Sequence, residues 1–211
     1  MRAARTGAAK EAWRLGKAAK NHAASPAQGF FPDGGRPTPM AFVLFPTAFG
    51  ECTVAWNDAA LTRFRLPDVD GAGGRGASGD DGPAREDEAP GWVRAVTGRV
   101  RRHFEGDLQD FSDVSLHWPL VSDFQRAVYA QALLIKAGGT RSYGDIARAM
   151  ALGPEGARAV GSALAANPWP LLVPCHRVVS ANDKMTGFSA PGGVRTKTRL
   201  LVLEGAELIS E

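Results

Sequence analysis

The residues of this chain best suited to do chemistry lie together at Pro174-Cys175-His176-Arg177-Val178. A thiol becomes a strong nucleophile when a neighbouring base can take its proton and nearby positive charge favours the thiolate. Pro168, Pro170 and Pro174 bracket the apolar run Leu171-Leu172-Val173. Their fixed φ angles stiffen the backbone, so the run is expected to be buried with Cys175 at its edge. The competing reading is that Cys175 is simply a small buried hydrophobe; its adjacency to His176 and Arg177 weighs against that. The other cysteine, Cys52, is too distant in sequence to suggest a zinc pair, and one bridge makes a poor disulfide framework. Free thiols, no metal and a reducing compartment are expected.

The elements just upstream would have to position this segment. Asp123 reads as the N-cap of a helix through Lys136, with Phe124, Val128, Leu133 and Ile135 among its apolar positions and Gly138-Gly139 ending it. Ser142 then caps a short helix, Tyr143 to Met150, and Pro154 starts another that runs through Ala166, with Gly153 in the turn between them. A longer helix followed by two short ones joined at a glycine turn gives the parts of a helix-turn-helix, whose second helix usually meets DNA. Here that helix carries small residues and one long cation, Arg158. Small residues equally suit plain helix packing, and Tyr143 equally suits a core position.

Before these helices, Ala41–Phe45, Cys52–Trp56 and Leu61–Leu66 are rich in strand formers and separated by turn residues, which predicts a small antiparallel sheet. Pro67 to Pro90 is dense in Gly, Asp and Glu and reads as a flexible loop, and Trp92–Phe104 has helical apolar spacing. The fold class expected is α+β: a small N-terminal antiparallel-sheet domain over residues 39–121, then a C-terminal helical (winged) helix-turn-helix domain over 122–211. Residues 1–38 hold seven Lys/Arg against two acids, residues 39–121 eight against thirteen, and residues 122–211 ten against seven. The excess of positive charge therefore owes most to a tail, read as solvated linker, with a DNA-binding arm or a targeting segment as the alternatives. No run of 18 or more apolar residues and no secretory signal pattern is present, so a soluble, cytoplasmic protein is expected (nuclear in a eukaryote), without membrane association.

Pro174-Cys-His-Arg-Val178, with Asn167-Pro168 before it and Gly187-Phe-Ser189 and Gly192-Gly193 after it, resembles the signature of the methylated-DNA-[protein]-cysteine S-methyltransferases, the O(6)-alkylguanine-DNA alkyltransferases. The resemblance spans roughly residues 122–205 and is only loose over Met40 to Leu66. It implies irreversible, once-only transfer of a methyl or other alkyl group from O6 of guanine, with O4-alkylthymine as a further candidate substrate, to Cys175. It also implies His176 as a base acting through water, Glu204 orienting that histidine, and Asn167 tying the recognition helix to the active-site loop. The lesion would be flipped out of double-stranded DNA from the minor groove. Arg158 would fill the gap, Ala157 and Gly161 would allow close approach, and Tyr143 would crowd the backbone and donate to the base. The Ser189 amide would face O6 beside Phe188, and the carbonyls of Cys175 and Val178 would accept from the base's amino group. No cofactor is implied, and a monomer is expected. The chain departs from the family pattern in having Phe188 where many relatives have Tyr, Tyr129 where Trp is common, and Gly138-Gly139 in place of a Pro-containing turn. With Cys52 the lone cysteine near the N-terminus, the zinc site of some relatives is not expected. Three alternatives stand beside this reading: a lesion sensor, which would lack the acceptor cysteine; a transcription regulator using the same helix-turn-helix; and a Cys175/His176 hydrolase, disfavoured because adjacent residues rarely bring thiol and imidazole into contact.

Overall fold

A computed structural model describes residues 41–67, 83–181 and 187–206. The basic tail, most of the Gly/Asp/Glu-rich loop and the extreme C-terminus lie outside the described residues.

Three antiparallel strands open the fold, β1 (Ala41–Thr47), β2 (Gly50–Trp56) and β3 (Leu61–Arg65), in the order β1-β2-β3. The β1–β2 register runs from Ala41↔Trp56 to Thr47↔Gly50, so a two-residue turn closes the hairpin. Thr47 Oγ1 accepts the Phe49 amide and donates to the Gly50 carbonyl. Gly50 has φ +128°, and a Cβ there would lie 2.7 Å from Pro67 Cβ, so only glycine fits. β1 and β2 are longer than the sequence pattern suggested because Thr47 and Gly50 are pairing residues as well as turn residues, while β3 ends one residue early, at Arg65 in place of Leu66.

One sheet face packs against helix α1 (Gly91–Phe104), whose buried stripe is Val93, Val96, Thr97, Val100, His103 and Phe104. The expected loop Pro67–Pro90 is corrected at its C-terminal end. Glu86–Glu88 forms a 3₁₀ turn, held by Glu86, which accepts from Arg101 Nη2 at 2.6 Å and from Thr97 Oγ1 at 2.9 Å.

Helix α2 (Asp123–Leu133) starts one residue earlier in its capping than expected. Ser122, not Asp123, is the N-cap, in a reciprocal capping box with Gln125. The helix stops at Leu133 rather than Lys136. Strand β4 (Arg141–Ser142) pairs in parallel with β5 (Val178–Val179), two-residue pieces too short to carry a periodicity. Helix α3 (Tyr143–Ala149) is capped by Ser142 with Asp145, and α4 (Gly156–Ala165) follows after a turn. A last helix, α5 (Gly193–Leu203), closes the C-terminal unit. The buried apolar residues form one continuous cluster from Val43 on the sheet to Leu200 on α5. Among the described residues, no helix is long and apolar enough to cross a membrane.

Candidate active site

The segment between α4 and β5 is built as the prolines suggest. Leu171 takes a left-handed φ of +76°, a conformation that costs a non-glycine residue on the order of 1–3 kcal/mol and persists only where its surroundings enforce it. Asn167 supplies part of that enforcement. Its Oδ1 accepts the Trp169 amide at 2.9 Å, and its Nδ2 donates to the Val173 carbonyl at 2.9 Å and to Cys175 Sγ at 3.2 Å. Further support comes from β3, where the Leu61 carbonyl accepts the Trp169 indole N–H at 2.9 Å and the Phe64 amide donates to the Pro168 carbonyl at 3.0 Å.

Cys175, His176 and Arg177 form a single 3₁₀ turn, and all three are buried. Such a turn has three residues per revolution, so its successive side chains point in three different directions. Arg177 accordingly turns away from the thiol. Its Nε and Nη2 donate to Glu204 at 2.8 and 2.7 Å, and its Nη1 donates to the Ile135 carbonyl at 2.6 Å. His176 Nε2 lies 3.0 Å from Glu204 Oε1. Burial alone would raise the Glu204 carboxyl, but hydrogen bonds from His103, His176 and Arg177 outweigh it and hold the group far below the usual carboxylate range. Glu204 is thus a charged acceptor and His176 carries its proton on Nε2. That leaves Nδ1 of His176 as a lone pair, and it is buried with no partner among the described residues.

The surroundings of Cys175 correct one expectation. The neighbouring cation was sought in His176 and Arg177, but the positive charge acting on the thiol is Lys197. Burial pushes the Cys175 thiol up, while the Asn167 amide and the charge of Lys197 pull it down. Lys197 is fully buried, donates to the Val178 carbonyl at 2.6 Å and lies 5.7 Å from the centre of the Tyr143 ring. Burial lowers its ammonium to about 8, against the opposing pull of Cys175. Both carbonyls assigned to a base's amino group are already used once: that of Cys175 accepts the Val178 amide, and that of Val178 accepts Lys197.

A cavity of about 690 Å³ opens at Cys175 between α4 and the loop at Gly187–Ser189. Tyr143, Ala157, Arg158, Gly161, Phe188 and Ser189 all line it, which brings together six of the residues that the sequence assigned to the lesion and its DNA; the seventh, Val178, is fully buried and does not line it. Arg158 stands at this cavity largely exposed, paired with Glu155 at 3.1 Å. The Tyr143 ring lies against Gly161, where a Cβ would meet its edge at 3.7 Å.

Sequence reasoning missed Lys197 and His103. Lys197 had a signal: it stands seven residues, two helical turns, before Glu204 and must share its face. His103 lies on α1 with its Nε2 3.1 Å from Glu204 Oε1, and nothing in the local pattern of α1 separates it from an ordinary stripe residue. Tyr129 also has a task, since its hydroxyl donates to the Ala163 carbonyl of α4 at 2.9 Å.

Residues 123–206 match the sequence model of the 6-O-methylguanine DNA methyltransferase DNA-binding domain. A methylated-DNA--protein-cysteine methyltransferase of Methanosarcina acetivorans is 41% identical over 167 residues, which is 79% of this chain and 99% of the relative. The chain belongs to the methylated-DNA--protein-cysteine methyltransferases. The fold agrees: the crystal structure of Mycobacterium tuberculosis OGT in complex with DNA superposes with a TM-score of 0.62 at 33% identity, covering 78% of this chain and 92% of the other. A DNA base-flipping protein of Thermus thermophilus is 40% identical over 107 residues, 51% of this chain and 69% of the relative. Within a family named for a protein cysteine that accepts methyl, the two thiols of this chain differ sharply. Cys52 is buried in the sheet core with its thiol pushed up to about 12, chiefly by that burial, whereas Cys175 lines the cavity.

Proposed function

We propose that this protein repairs alkylated DNA by moving the alkyl group from O6 of guanine in duplex DNA onto Cys175, once per molecule. The observation that carries the reading is the buried Cys175 thiol at a cavity, held by the Asn167 amide, beside a histidine whose Nδ1 is an unused buried acceptor backed by an ionised glutamate. In the reaction the Cys175 proton passes to His176 Nδ1 through a water molecule, and Glu204 stabilises the imidazolium that forms. The sulfur then forms a bond to the alkyl carbon as the carbon–O6 bond breaks. The guanine takes up a proton as it leaves, with the Tyr143 hydroxyl as donor. A thioether has no route back to the thiol here, so turnover ends. Metal and cofactor have no part in these steps.

The lesion must leave the base stack to reach Cys175, at a cost of a few kcal/mol. The small face of α4, with Ala157 and Gly161, suits close approach in the minor groove, and Arg158, paired among the described residues with the exposed Glu155, can turn to fill the vacated space. Exposed ion pairs of that kind are worth about 0–1 kcal/mol, so releasing Glu155 costs little. The Ser189 amide and Phe188 then border the flipped base. A sensor that flips the base without repairing it would have no need of the thiol and its relay.

The test is intact-mass spectrometry after incubation with duplex DNA containing O6-methylguanine. Cys175 should gain one methyl, a mass increase of about 14 Da, and Cys175→Ser none, because an alcohol is a far weaker nucleophile near neutral pH. Methyl mapped to Cys52 would overturn the assignment.

A further inference from the structure

Glu204 receives more donors than a single catalytic histidine requires. Its Oε1 faces His176 Nε2 at 3.0 Å, Arg177 Nη2 at 2.7 Å and His103 Nε2 at 3.1 Å, while Oε2 accepts Arg177 Nε at 2.8 Å. His103 comes from α1, in the N-terminal unit, 101 residues away in sequence. It has no exposure to solvent. Its tautomer is fixed by geometry: the Gln109 amide donates to His103 Nδ1 at 3.1 Å, so Nδ1 is the acceptor and the ring hydrogen sits on Nε2, pointing at the carboxylate. Both imidazoles therefore present N–H groups to Glu204, an arrangement for sharing an anion and not for ligating a metal. Phe104 and Phe111 pack around the His103 ring with centroids at 5.9 and 5.5 Å, which holds it in one orientation.

We propose that His103 is a positioning residue of the transfer reaction: the N-terminal unit reaches into the relay through it, fixing Glu204 and setting how strongly that carboxylate draws on His176. The inference rests on the function proposed above. A third donor on Oε1 spreads the carboxylate's charge and weakens it as an acceptor for the His176 N–H. His176 is then less easily held as imidazolium and its Nδ1 stays open in the resting protein. The groups facing His176 are Glu204 from the end of α5, Arg177 from its own turn and His103 from α1. Of these, Glu204 favours the imidazolium, while Arg177 and His103 disfavour it; burial, the largest influence, also lowers the histidine. His103 is the only one of the three supplied by the N-terminal unit.

A satisfied core histidine with no part in the reaction would look similar in its packing, so the test compares shape with hydrogen bonding. His103→Phe keeps a ring and removes the donor. His103→Gln places an amide N–H near the position of Nε2, and His103→Asn keeps an acceptor near Gln109 but does not reach Glu204. The readouts are the single-turnover methyl-transfer rate over a pH series with O6-methylguanine duplex DNA, and the ¹⁵N NMR titration of His176. In the Phe and Asn variants the acid limb of the rate profile and the His176 titration should both move to higher pH, by about half to one unit. The rate on that limb should fall several-fold, and Gln should restore both. A folded Phe variant with the parent's acid limb and the parent's His176 titration overturns the proposal. If Phe does not fold, Asn decides it by the same criterion. Failure of the parent itself to methylate Cys175 would instead refute the proposed function, so the two failures are distinct.

Discussion

At the residue scale, the acceptor thiol is kept dormant and its base is kept ready. Burial raises Cys175, so the resting group is a protected thiol, and the Asn167 amide and Lys197 act to favour the thiolate. Glu204 has the opposite character, ionised in the interior because its donors outweigh its burial. A carboxyl whose folded value lies below its unfolded value, here 4.5, contributes stability that is fully present above the unfolded value. That stability is lost as pH falls toward the folded one. Glu204→Gln should therefore destabilise the protein by about 3–5 kcal/mol at neutral pH, since it leaves Arg177 buried without its counter-charge. It should also flatten the acid side of the stability curve measured by urea unfolding between pH 3 and 7. An unchanged slope there would mean that other carboxyls govern acid unfolding. Arg158 belongs to a different kind of site, exposed and weakly tied. Arg158→Ala should slow single-turnover repair in duplex DNA strongly, by an amount matching the few kcal/mol of unstacking it offsets, while reaction with free O6-benzylguanine stays near the parent's rate if the pocket admits that adduct. Equal losses on both substrates would make it a support of the pocket. Cys175 and His176 stand out in the motif because their chemistry is written in residue types, whereas Asn167 and Glu204 came only from the family resemblance; the structure places Asn167 against Cys175 and Glu204 against His176. The partner cation could not be read from the motif, because a 3₁₀ turn sends neighbours in sequence to different neighbours in space.

The helix-turn-helix shows at the element scale how small residues position chemistry. Gly156 opens α4 where it crosses α3: a Cβ added there would lie 2.6 Å from Leu152 Cβ and 2.9 Å from Ala147 Cβ. Neither of those atoms can swing away as a flexible side-chain end can. Gly156→Ala should cost about 1–3 kcal/mol by overpacking, read as a lower urea midpoint with an unchanged m-value. A variant as stable as the parent would mean that α3 and α4 slide apart freely. The same elements show what sequence alone could and could not yield. Both short helices were legible because Ser142 and the Gly153-Pro154 pair are strong local punctuation, although α4 runs over Gly156–Ala165 and not from Pro154 through Ala166, since Glu155 is its N-cap. The start of α2 was misread by one residue because the apolar pattern begins at Phe124, and the Ser122–Gln125 box just ahead of it is what the backbone uses. Helix α5 escaped notice because Arg195, Lys197 and Arg199 make it read as polar, although Thr196 and Lys197 are buried. The β4–β5 pair was invisible for a simpler reason, since two residues carry no alternation.

For the whole molecule, the N-terminal unit grips the site at two points. His103 of α1 reaches Glu204, and β3 holds the Pro168-Trp169 corner that fixes Asn167. Because the buried cluster runs unbroken from the sheet to α5, the units should unfold together instead of in sequence. Trp169 tests this. It is fully buried, its ring meets Trp118 edge to face at 5.5 Å, and its indole N–H bonds the Leu61 carbonyl. That carbonyl also accepts the His117 amide at 2.9 Å, so Trp169→Phe leaves no orphaned acceptor. Its cost is one net hydrogen bond, about 1 kcal/mol, plus the space left by the smaller ring, for a total of roughly 2–3 kcal/mol. A chain of this size loses about 2–4 °C of Tm per kcal/mol, so the midpoint should fall by roughly 5–10 °C. Circular dichroism in the far and near ultraviolet should still give one shared transition. Well below that midpoint, methyl transfer to Cys175 should be slower than in the parent, because the corner that aligns Asn167 keeps only the Phe64–Pro168 backbone bond of its two ties to β3. Two separate transitions would show that the sheet and the helical unit are thermodynamically independent. An unchanged transfer rate alongside a lowered Tm would confine the Trp169–Leu61 bond to stability and leave the Phe64–Pro168 bond and His103 as the contacts through which the N-terminal unit could bear on the chemistry.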